Sequence, residues 1–353
     1  MTKQARIPHG DGDNGAQVVR AADTYHATND LWLVTAYFNP AGYQSKLRNY
    51  ELFRTRIAAG GLRLLTIECA FGETPFSFAP AADVLPVRAK DVMWQKERLL
   101  NLAIAQLPPH CRKVAWLDCD LLFENSAWAV ETSQLLDRYP VVQPFDTVSW
   151  LAPGALEDHG EGKLAPSFGA VSGAGAHPPR PVDPRRCDRG VMGKHGHTGY
   201  AWAARREVFA EHGLYDVCII GGADHLMAHA MRGEDASPCV ERRLGDNTVH
   251  RHHFTRWSRA VWPAVRGRIG HVPGAMLHLW HGDPSHRGYT TRHRELAHFG
   301  FSPDDDLRLG SDGCWEWASD KPALHAWAAD YFAQRFEDGA PASRDRAADS
   351  TQP

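Results

Sequence analysis

Residues 113–123 read KVAWLDCDLLF, a short apolar run that ends in two acidic residues, Asp118 and Asp120. In a β-strand, residues i and i+2 point to the same side, so the two carboxylates converge where the buried strand ends. Ligands of open α/β sheets bind at the carboxyl ends of the strands. The pair therefore predicts a divalent-cation site at that edge, with a turn former or helix cap as the structural alternative.

Apolar patterns on both sides of this stretch alternate between strand and helix. Strands are predicted at residues 31–36, 62–68, 84–87, 113–118 and 141–145. Helices are predicted around residues 47–57, ending at Gly60-Gly61, at 92–107 with Asp91 as the cap, and from 223 to about 231. Such alternation predicts an α/β fold, with a mostly parallel sheet and helices on both faces.

Composition and charge exclude several classes of protein. The 353 residues are 43% hydrophobic with a net charge of −3, so the chain has no basic footprint for nucleic acid or for an anionic membrane. Its seven cysteines are odd in number and form no C-x-x-C motif, which favours a reduced compartment. No apolar run approaches the roughly 18 residues that a membrane span needs. We expect a cytoplasmic protein without a transmembrane segment, whose oligomeric state stays open.

Apolar periodicity and composition along the chain suggest one catalytic unit between two tails. Residues 1–29 and 341–353 lack apolar periodicity and are predicted to be mobile tails. Within the unit at 30–340, a nucleotide-binding half is predicted at 30–150 and an acceptor half at 199–340. The Gly-, Pro- and His-rich residues 151–198 between them are predicted to form a loop or lid.

Four motifs in the second half of the chain add to the acidic pair: AWAARREVF at 201–209, GLYD at 213–216, GGAD at 221–224 and HLWHG at 278–282. Their order resembles GT-A glycosyltransferases, above all the β-1,4-galactosyltransferases and the catalytic lobes of polypeptide N-acetylgalactosaminyltransferases. In those families Asp-x-Asp is followed by a Gly-rich acidic helix start and then by a histidine of the metal site. The resemblance covers residues 31–289. The chain departs from the pattern at the helix start, which has one acid instead of two.

The resemblance implies a GT-A, Rossmann-like fold and transfer of a sugar from a nucleotide diphosphate, a UDP-sugar, to the hydroxyl of a glycan or another acceptor. A Mn²⁺ or Mg²⁺ ion would stabilise the negative charge of the leaving diphosphate. Asp118 and Asp120 would supply oxygen ligands, and either His278 or His281 a nitrogen ligand, which favours Mn²⁺. We favour His281, because it sits beside flexible Gly282.

Three features of the acceptor half complete this hypothesis. Asp224 is the candidate general base, which implies inversion at the anomeric carbon, and its structural alternative is a helix N-cap. Gly221 and Gly222 would let a sugar approach the backbone. Trp202 would stack on a sugar face, or belong to the core.

Donor contacts are predicted mainly by position. Thr35, Tyr37 and Asn39 end the first strand, where this fold holds the nucleotide base and ribose. Lys96, with Arg98 as an alternative, and Arg287 beside His286 would contact the diphosphate, whereas solvated surface charges are the structural alternative.

Two other functions stay open. His225 and His229 are spaced i, i+4 on a predicted helix, as paired zinc ligands are, and would suit a zinc-dependent hydrolase. That motif lacks the glutamate of His-Glu-x-x-His and leaves the acidic pair unexplained. A non-catalytic carbohydrate-binding protein is favoured by the 12 tryptophans alone.

Overall fold

The computed structural model describes residues 28–173, 192–289 and 291–339. The strands are β1 (Leu31–Phe38), β2 (Leu64–Phe71), β3 (Val84–Ala89), β4 (Lys113–Leu117), β5 (Leu121–Phe123), β6 (Val141–Gln143), β7 (Thr147–Trp150), β8 (Lys163–Pro166), β9 (Ala201–Arg205), β10 (Ile269–His271), β11 (Ala275–His278), β12 (Leu307–Leu309) and β13 (Trp315–Trp317). The α-helices are α1 (Gln44–Ala59), α2 (Lys96–Gln106), α3 (Trp128–Leu136), α4 (Phe168–Ser172), α5 (Met192–His195), α6 (Ala223–Arg232), α7 (Pro238–Leu244), α8 (Thr248–Val265), α9 (Arg292–His298), α10 (Pro303–Asp306) and α11 (Pro322–Ala333). Arg206–Phe209 and Pro284–Arg287 are short 3₁₀ helices.

Seven strands form the main sheet, in the order β10-β6-β9-β4-β1-β2-β3. Among the described strands of this sheet, β9 alone runs antiparallel to its neighbours, β4 and β6. The parallel strands β1, β2 and β4 are almost fully buried, which explains their continuous apolar sequences. The α/β fold with a mostly parallel sheet is therefore confirmed.

A second sheet of four strands, in the order β5-β11-β7-β8, continues directly from the first. Three residues, 118–120, join β4 of the main sheet to β5 of the small sheet. Strand β11 pairs antiparallel with β5, and the register places His278 opposite Leu121. The backbone N–H of Leu279 also donates to the carbonyl of Asp120, at 2.9 Å. The small sheet thus brings the motif at 278–282 to the acidic pair.

Helix boundaries follow the predicted periodicity at α1 but not at α2. In α1, Tyr50, Phe53 and Ile57 are buried against the sheet, as expected. Helix α2 begins at Lys96, and the prediction that Asp91 caps it is wrong. The Asp91 carboxylate instead accepts a hydrogen bond from the backbone N–H of Trp317 at 2.9 Å. Residues 92–95, predicted to be helical, lie before the helix.

The remaining predictions on chain organisation have mixed outcomes. The helix expected from 223 is α6, and the strand expected at 141–145 is β6. Residues 1–27 and 341–353 of the predicted tails, and residues 174–191 of the predicted lid, lie outside the described residues. The division into nucleotide-binding and acceptor halves stays a prediction. No described helix combines the length and apolarity that crossing a membrane requires.

Candidate active site

Asp120, His278 and His281 come together where β4 passes into β5. Nε2 of His281 lies 3.2 Å from Oδ2 of Asp120, and Nε2 of His278 lies 3.8 Å from Oδ1. The two Nε2 atoms are 3.0 Å apart. One ligand atom from each residue lies within 4.8 Å of the others. The structure brings both histidines to Asp120 and does not separate their roles.

The electrostatics of this group fit a cation. Burial raises the pKa of Asp120 to about 6, although Lys46 and Arg287 oppose the shift. Burial lowers the pKa of His278 to about 3 and holds the pKa of His281 well below its usual range, so both rings are neutral at pH 7. Oδ1 of Asp120 is buried and has no hydrogen-bond partner among the described residues. One carboxylate and two neutral imidazoles are a ligand set for a borderline divalent ion.

The spacing also fits an octahedral ion. Adjacent ligands at about 2.1 Å from such an ion lie about 3 Å apart, close to the 3.0 and 3.2 Å separations at His281. A direct hydrogen bond between the two imidazoles is the alternative reading of the 3.0 Å contact. That hydrogen bond requires one Nε2 to carry a proton, whereas an Nε2 atom bound to a metal carries none.

Nδ1 of His281 has two neighbours that correspond to these two arrangements. Nη2 of Arg287 lies 2.7 Å from this nitrogen and also donates to the His281 carbonyl at 2.6 Å. Oε1 of Glu337 lies 3.6 Å from the same nitrogen and would accept its proton. A hydrogen bond from Arg287 to Nδ1 places the His281 proton on Nε2, whereas metal binding through Nε2 requires the proton on Nδ1, with Glu337 as its acceptor.

Asp118, the other half of the acidic pair, makes an ion pair outside this group. Its Oδ1 lies 3.0 Å from Nζ of Lys96, a predicted diphosphate contact. Burial opposes the charge on Lys96, but the surrounding carboxylates, Asp118 foremost, outweigh it and raise the Lys96 pKa. Asp118 itself has a raised pKa, caused by burial. Arg98, the alternative diphosphate contact, forms an ion pair with Asp216, whose Oδ2 lies 3.3 Å from its Nη1.

Asp224 lies near the charged groups of Lys96 and Asp118. Its carboxylate contributes to the raised pKa of Lys96, and its Oδ1 accepts from the backbone N–H of His225 at 2.9 Å. The N-cap of α6 is Gly222, so the capping alternative for Asp224 does not hold in this structure. Asp224 is the second residue of the helix, half-buried and without a fixed partner side chain among the contacts described.

The two predicted acceptor glycines have a clear backbone role. Gly221 and Gly222 adopt φ angles of +77° and +93°, a region that side-chain-bearing residues rarely enter. A Cβ on Gly221 would meet the ring of Trp94 at 3.3 Å, and one on Gly222 would meet the ring of His293 at 3.1 Å. The glycines thus allow the sharp entry into α6, whether or not a sugar approaches them.

Trp202 lies in the core. Its side chain is 2% exposed, and Nε1 donates to the Thr198 carbonyl at 2.8 Å. Because β9 pairs with β4, Trp202 lies directly opposite Trp116. The ring therefore has no free face for a sugar, and the core alternative describes it.

Residues 35–39 divide between core and cleft. Thr35 is fully buried and donates to the Leu117 carbonyl at 2.8 Å. Tyr37 is also buried, and burial raises its pKa to about 12. Asn39 is half-buried and borders a cleft that is also lined by Lys46 and Trp94. Of the three predicted nucleotide contacts, Asn39 is the one placed to touch a ligand.

Sequence reasoning missed Glu337, Lys46 and Tyr200. Glu337 reaches His281 from the end of the described chain, and Lys46 opposes the raised pKa of Asp120 from α1. Tyr200 has a φ of +77°, unusual for an aromatic residue, and its ring lies 4.7 Å from that of His278. No local motif marks these positions, although the glycine before Tyr200 is a weak sign of an unusual backbone.

A second group of possible metal ligands contains His225 and His229, the pair predicted for a zinc hydrolase. His195 and Cys239 complete it, and one ligand atom from each of the four lies within 4.8 Å of the others. This group shares no residue with the Asp120 group.

No protein-family model and no curated protein sequence matches the chain. Among solved structures, it is similar to glucosyl-3-phosphoglycerate synthase from Mycobacterium tuberculosis in complex with Mn²⁺, UDP-glucose and phosphoglyceric acid, at 12% identity and a TM-score of 0.38, over 87% of this chain and 95% of that one. It is also similar to the catalytic domain of Drosophila β1,4-galactosyltransferase 7 in complex with xylobiose, at 11% identity and a TM-score of 0.34, over 84% and 98% of the two chains. Both are glycosyltransferases, the class that the sequence motifs resemble, but similarity at this level shows neither a shared family nor a shared activity.

Proposed function

We propose that this protein is a metal-dependent GT-A glycosyltransferase, which moves a sugar from a nucleotide diphosphate, a UDP-sugar, to an acceptor hydroxyl. The observation that carries the proposal is the group of Asp120, His278 and His281, with a buried Asp120 oxygen that has no hydrogen-bond partner among the described residues. The group follows the carboxyl end of β4, where α/β sheets bind their ligands. The sequence order of the acidic pair, the Gly-rich helix start and the histidines agrees with it.

Asp120, His278 and His281 would hold the ion, and Asp118 is the further oxygen donor of the pair. The two imidazoles favour Mn²⁺ over Mg²⁺, which prefers an all-oxygen shell. The ion would offset the charge that develops on the departing diphosphate. All other roles fall to side chains of the chain itself.

Three cations surround the acidic pair and would bind the diphosphate. Lys96 is paired with Asp118, Arg287 contacts His281, and Lys46 lies near enough to oppose the raised pKa of Asp120. A phosphate oxygen would satisfy their N–H groups by charge-assisted hydrogen bonds.

Asp224 would act as the general base in a single displacement with inversion. It is a half-buried carboxylate beside Lys96, on the helix start that Gly221 and Gly222 shape. The acceptor hydroxyl loses its proton to this carboxylate as its oxygen attacks the anomeric carbon. The leaving group is the nucleoside diphosphate.

A screen of nucleotide sugars tests the proposal. Purified protein is incubated with UDP-sugars and other nucleotide sugars, with Mn²⁺ or with a chelator, and release of the nucleoside diphosphate is measured. We expect slow metal-dependent release of the nucleoside diphosphate from one donor by hydrolysis, and faster release by sugar transfer when an acceptor is added. Asp120→Asn should show neither. The control Asp320→Asn makes the same chemical change on an exposed carboxylate.

Two results would overturn the proposal. One is turnover in Asp120→Asn equal to that of the parent protein, with or without chelator. The other is the absence of metal-dependent turnover and of Mn²⁺-dependent nucleotide binding across the whole donor panel.

A further inference from the structure

Four side chains of metal-binding type converge from three helices at the second group. His195 ends α5, His225 and His229 lie one turn apart on α6, and Cys239 lies in the first turn of α7. The three imidazole rings have centroid separations of 4.7 to 5.4 Å. One ligand atom from each of the four side chains lies within 4.8 Å of the others.

Hydrogen bonds fix the orientation of two of the three imidazoles. Nδ1 of His229 lies 2.7 Å from Oε2 of Glu234, and Nδ1 of His195 lies 2.7 Å from the Gly196 carbonyl. Both partners are acceptors, so in each ring Nδ1 carries the proton and Nε2 keeps its lone pair. A metal-bound histidine commonly shows this pattern, with its second nitrogen donating to a carboxylate or a backbone carbonyl.

The Nε2 atoms of these two rings have no hydrogen-bond partner among the described residues. Nε2 of His195 and Nε2 of His229 are buried and make no hydrogen bond within the described part of the chain. His229 is 3% exposed, so water does not reach this nitrogen freely. An unsatisfied buried polar atom costs about 1–3 kcal/mol. Two such atoms facing one another, next to a thiol, indicate a missing common partner.

The protonation state of the three imidazoles also favours a cation. Burial lowers the pKa values of His195, His225 and His229, so all three rings are neutral at pH 7 and available as ligands. Arg232 and Arg243 bring positive charge near the group, and the carboxylate of Glu234 opposes it. A thiolate at Cys239 would add the second negative charge.

We propose that His195, His225, His229 and Cys239 bind a Zn²⁺ ion in a structural site. Tetrahedral zinc with Zn–N near 2.0–2.1 Å and Zn–S near 2.3 Å places its ligand atoms about 3.3–3.6 Å apart, so a small contraction of the present group completes the site. Three nitrogens and one sulfur suit zinc rather than the ion of the Asp120 group, where the donors are oxygen and nitrogen.

A closed set of four ligands has a functional consequence. Catalytic zinc keeps a coordination position open for water, and this site has none, so it does not support the zinc hydrolase considered from the sequence. The ion instead ties α5 and α7 to α6. Because His225 directly follows Asp224, the zinc would hold the candidate base helix in place.

Metal content tests the site directly. Untagged protein is dialysed and its zinc content measured by mass spectrometry, and zinc affinity is measured by chelator competition. We expect one equivalent of zinc per chain, and affinity at least about 10-fold weaker in Glu234→Gln, which neutralises the carboxylate that accepts from Nδ1 of His229 and also pairs with Arg232. The control Glu241→Gln changes an exposed carboxylate of α7 and should bind zinc like the parent protein.

Cobalt substitution identifies the thiolate. Co²⁺ bound to the parent protein should show a thiolate-to-cobalt charge-transfer band, which Cys239→Ser abolishes and Asp120→Asn preserves. The proposal is refuted if zinc-saturated parent protein retains no zinc on dialysis, or if Cys239→Ser keeps the band. Glu234→Gln retains all four ligands, so it remains informative if Cys239→Ser does not fold. None of these measurements uses a sugar donor, so they are independent of the proposed transferase activity.

Discussion

Glu97 is a buried carboxyl whose ionisation we expect to destabilise the protein as pH rises. It lies in the first turn of α2 and is 2% exposed. Burial raises its pKa from 4.5 to about 7, although Lys96 opposes the shift. Nζ of Lys96 lies 3.6 Å from Glu97 but 3.0 Å from Asp118, so the ammonium does not serve Glu97 alone.

The size of the effect follows from the shift in pKa. Because the folded-state pKa lies above the unfolded one, the contribution of Glu97 to stability is complete below pH 4.5 and is lost as pH rises to about 7. The loss is on the order of 3 kcal/mol at 1.36 kcal/mol per unit. Glu97→Gln keeps the shape of the side chain without a charge. We expect it to exceed the parent protein in stability by roughly 3 kcal/mol at pH 8 and by roughly 1 kcal/mol or less at pH 5.

Urea denaturation of both proteins at pH 5 and pH 8 measures this difference. The control Glu51→Gln changes an exposed carboxyl on α1 and should show no such dependence on pH. Equal stability differences between Glu97→Gln and the parent protein at the two pH values would show that Glu97 is ionised in the folded state at both. The reasoning from burial would then fail.

Three further predictions concern the candidate active site. His281→Ala and His278→Ala should each weaken Mn²⁺ binding by at least about 10-fold in a Mn²⁺ titration, and a loss confined to His278→Ala would reverse our preference for His281. Asp224→Asn should lower sugar transfer by about 100-fold while leaving Mn²⁺-dependent donor binding intact, and a retained anomeric configuration in the product, determined by NMR, would remove Asp224 from the role of base. Gly222→Ala should destabilise the protein by about 1–2 kcal/mol in urea, because its φ of +93° penalises a Cβ, and an unchanged midpoint would contradict this.

The elements that the sequence predicted well are those with a strong local signal. Strands such as β1 and β4 are buried on both faces, so their apolar runs are continuous and easily recognised. The acidic pair and the HLWHG motif were both identified, since strand ends and glycines mark them. What brings them together, the pairing of β11 with β5, involves a strand of only three residues and left no usable pattern.

The features that the sequence misassigned or left open involve contacts between distant parts of the chain. Asp91 looks like a cap in its local sequence, yet it binds a backbone N–H 226 residues further on. Trp202 is indistinguishable by sequence from an exposed aromatic, and its pairing opposite Trp116 decides that it is core. Glu337 reaches His281 from near the predicted C-terminal tail, where no motif announces a site.

The junction at residues 118–120 holds one side of the candidate site more firmly than the other. Asp118 directly follows a strand of the large sheet and Asp120 directly precedes one of the small sheet, so the covalent chain tethers the two Cα atoms within about 7 Å whatever happens to the packing around them. His278 has no such tether, because strand pairing, with β5 on one side of β11 and with β7 on the other, keeps it beside Asp120. Mutations or heat that loosen the small sheet should therefore release the histidine side of the site first, while the two carboxylates stay together.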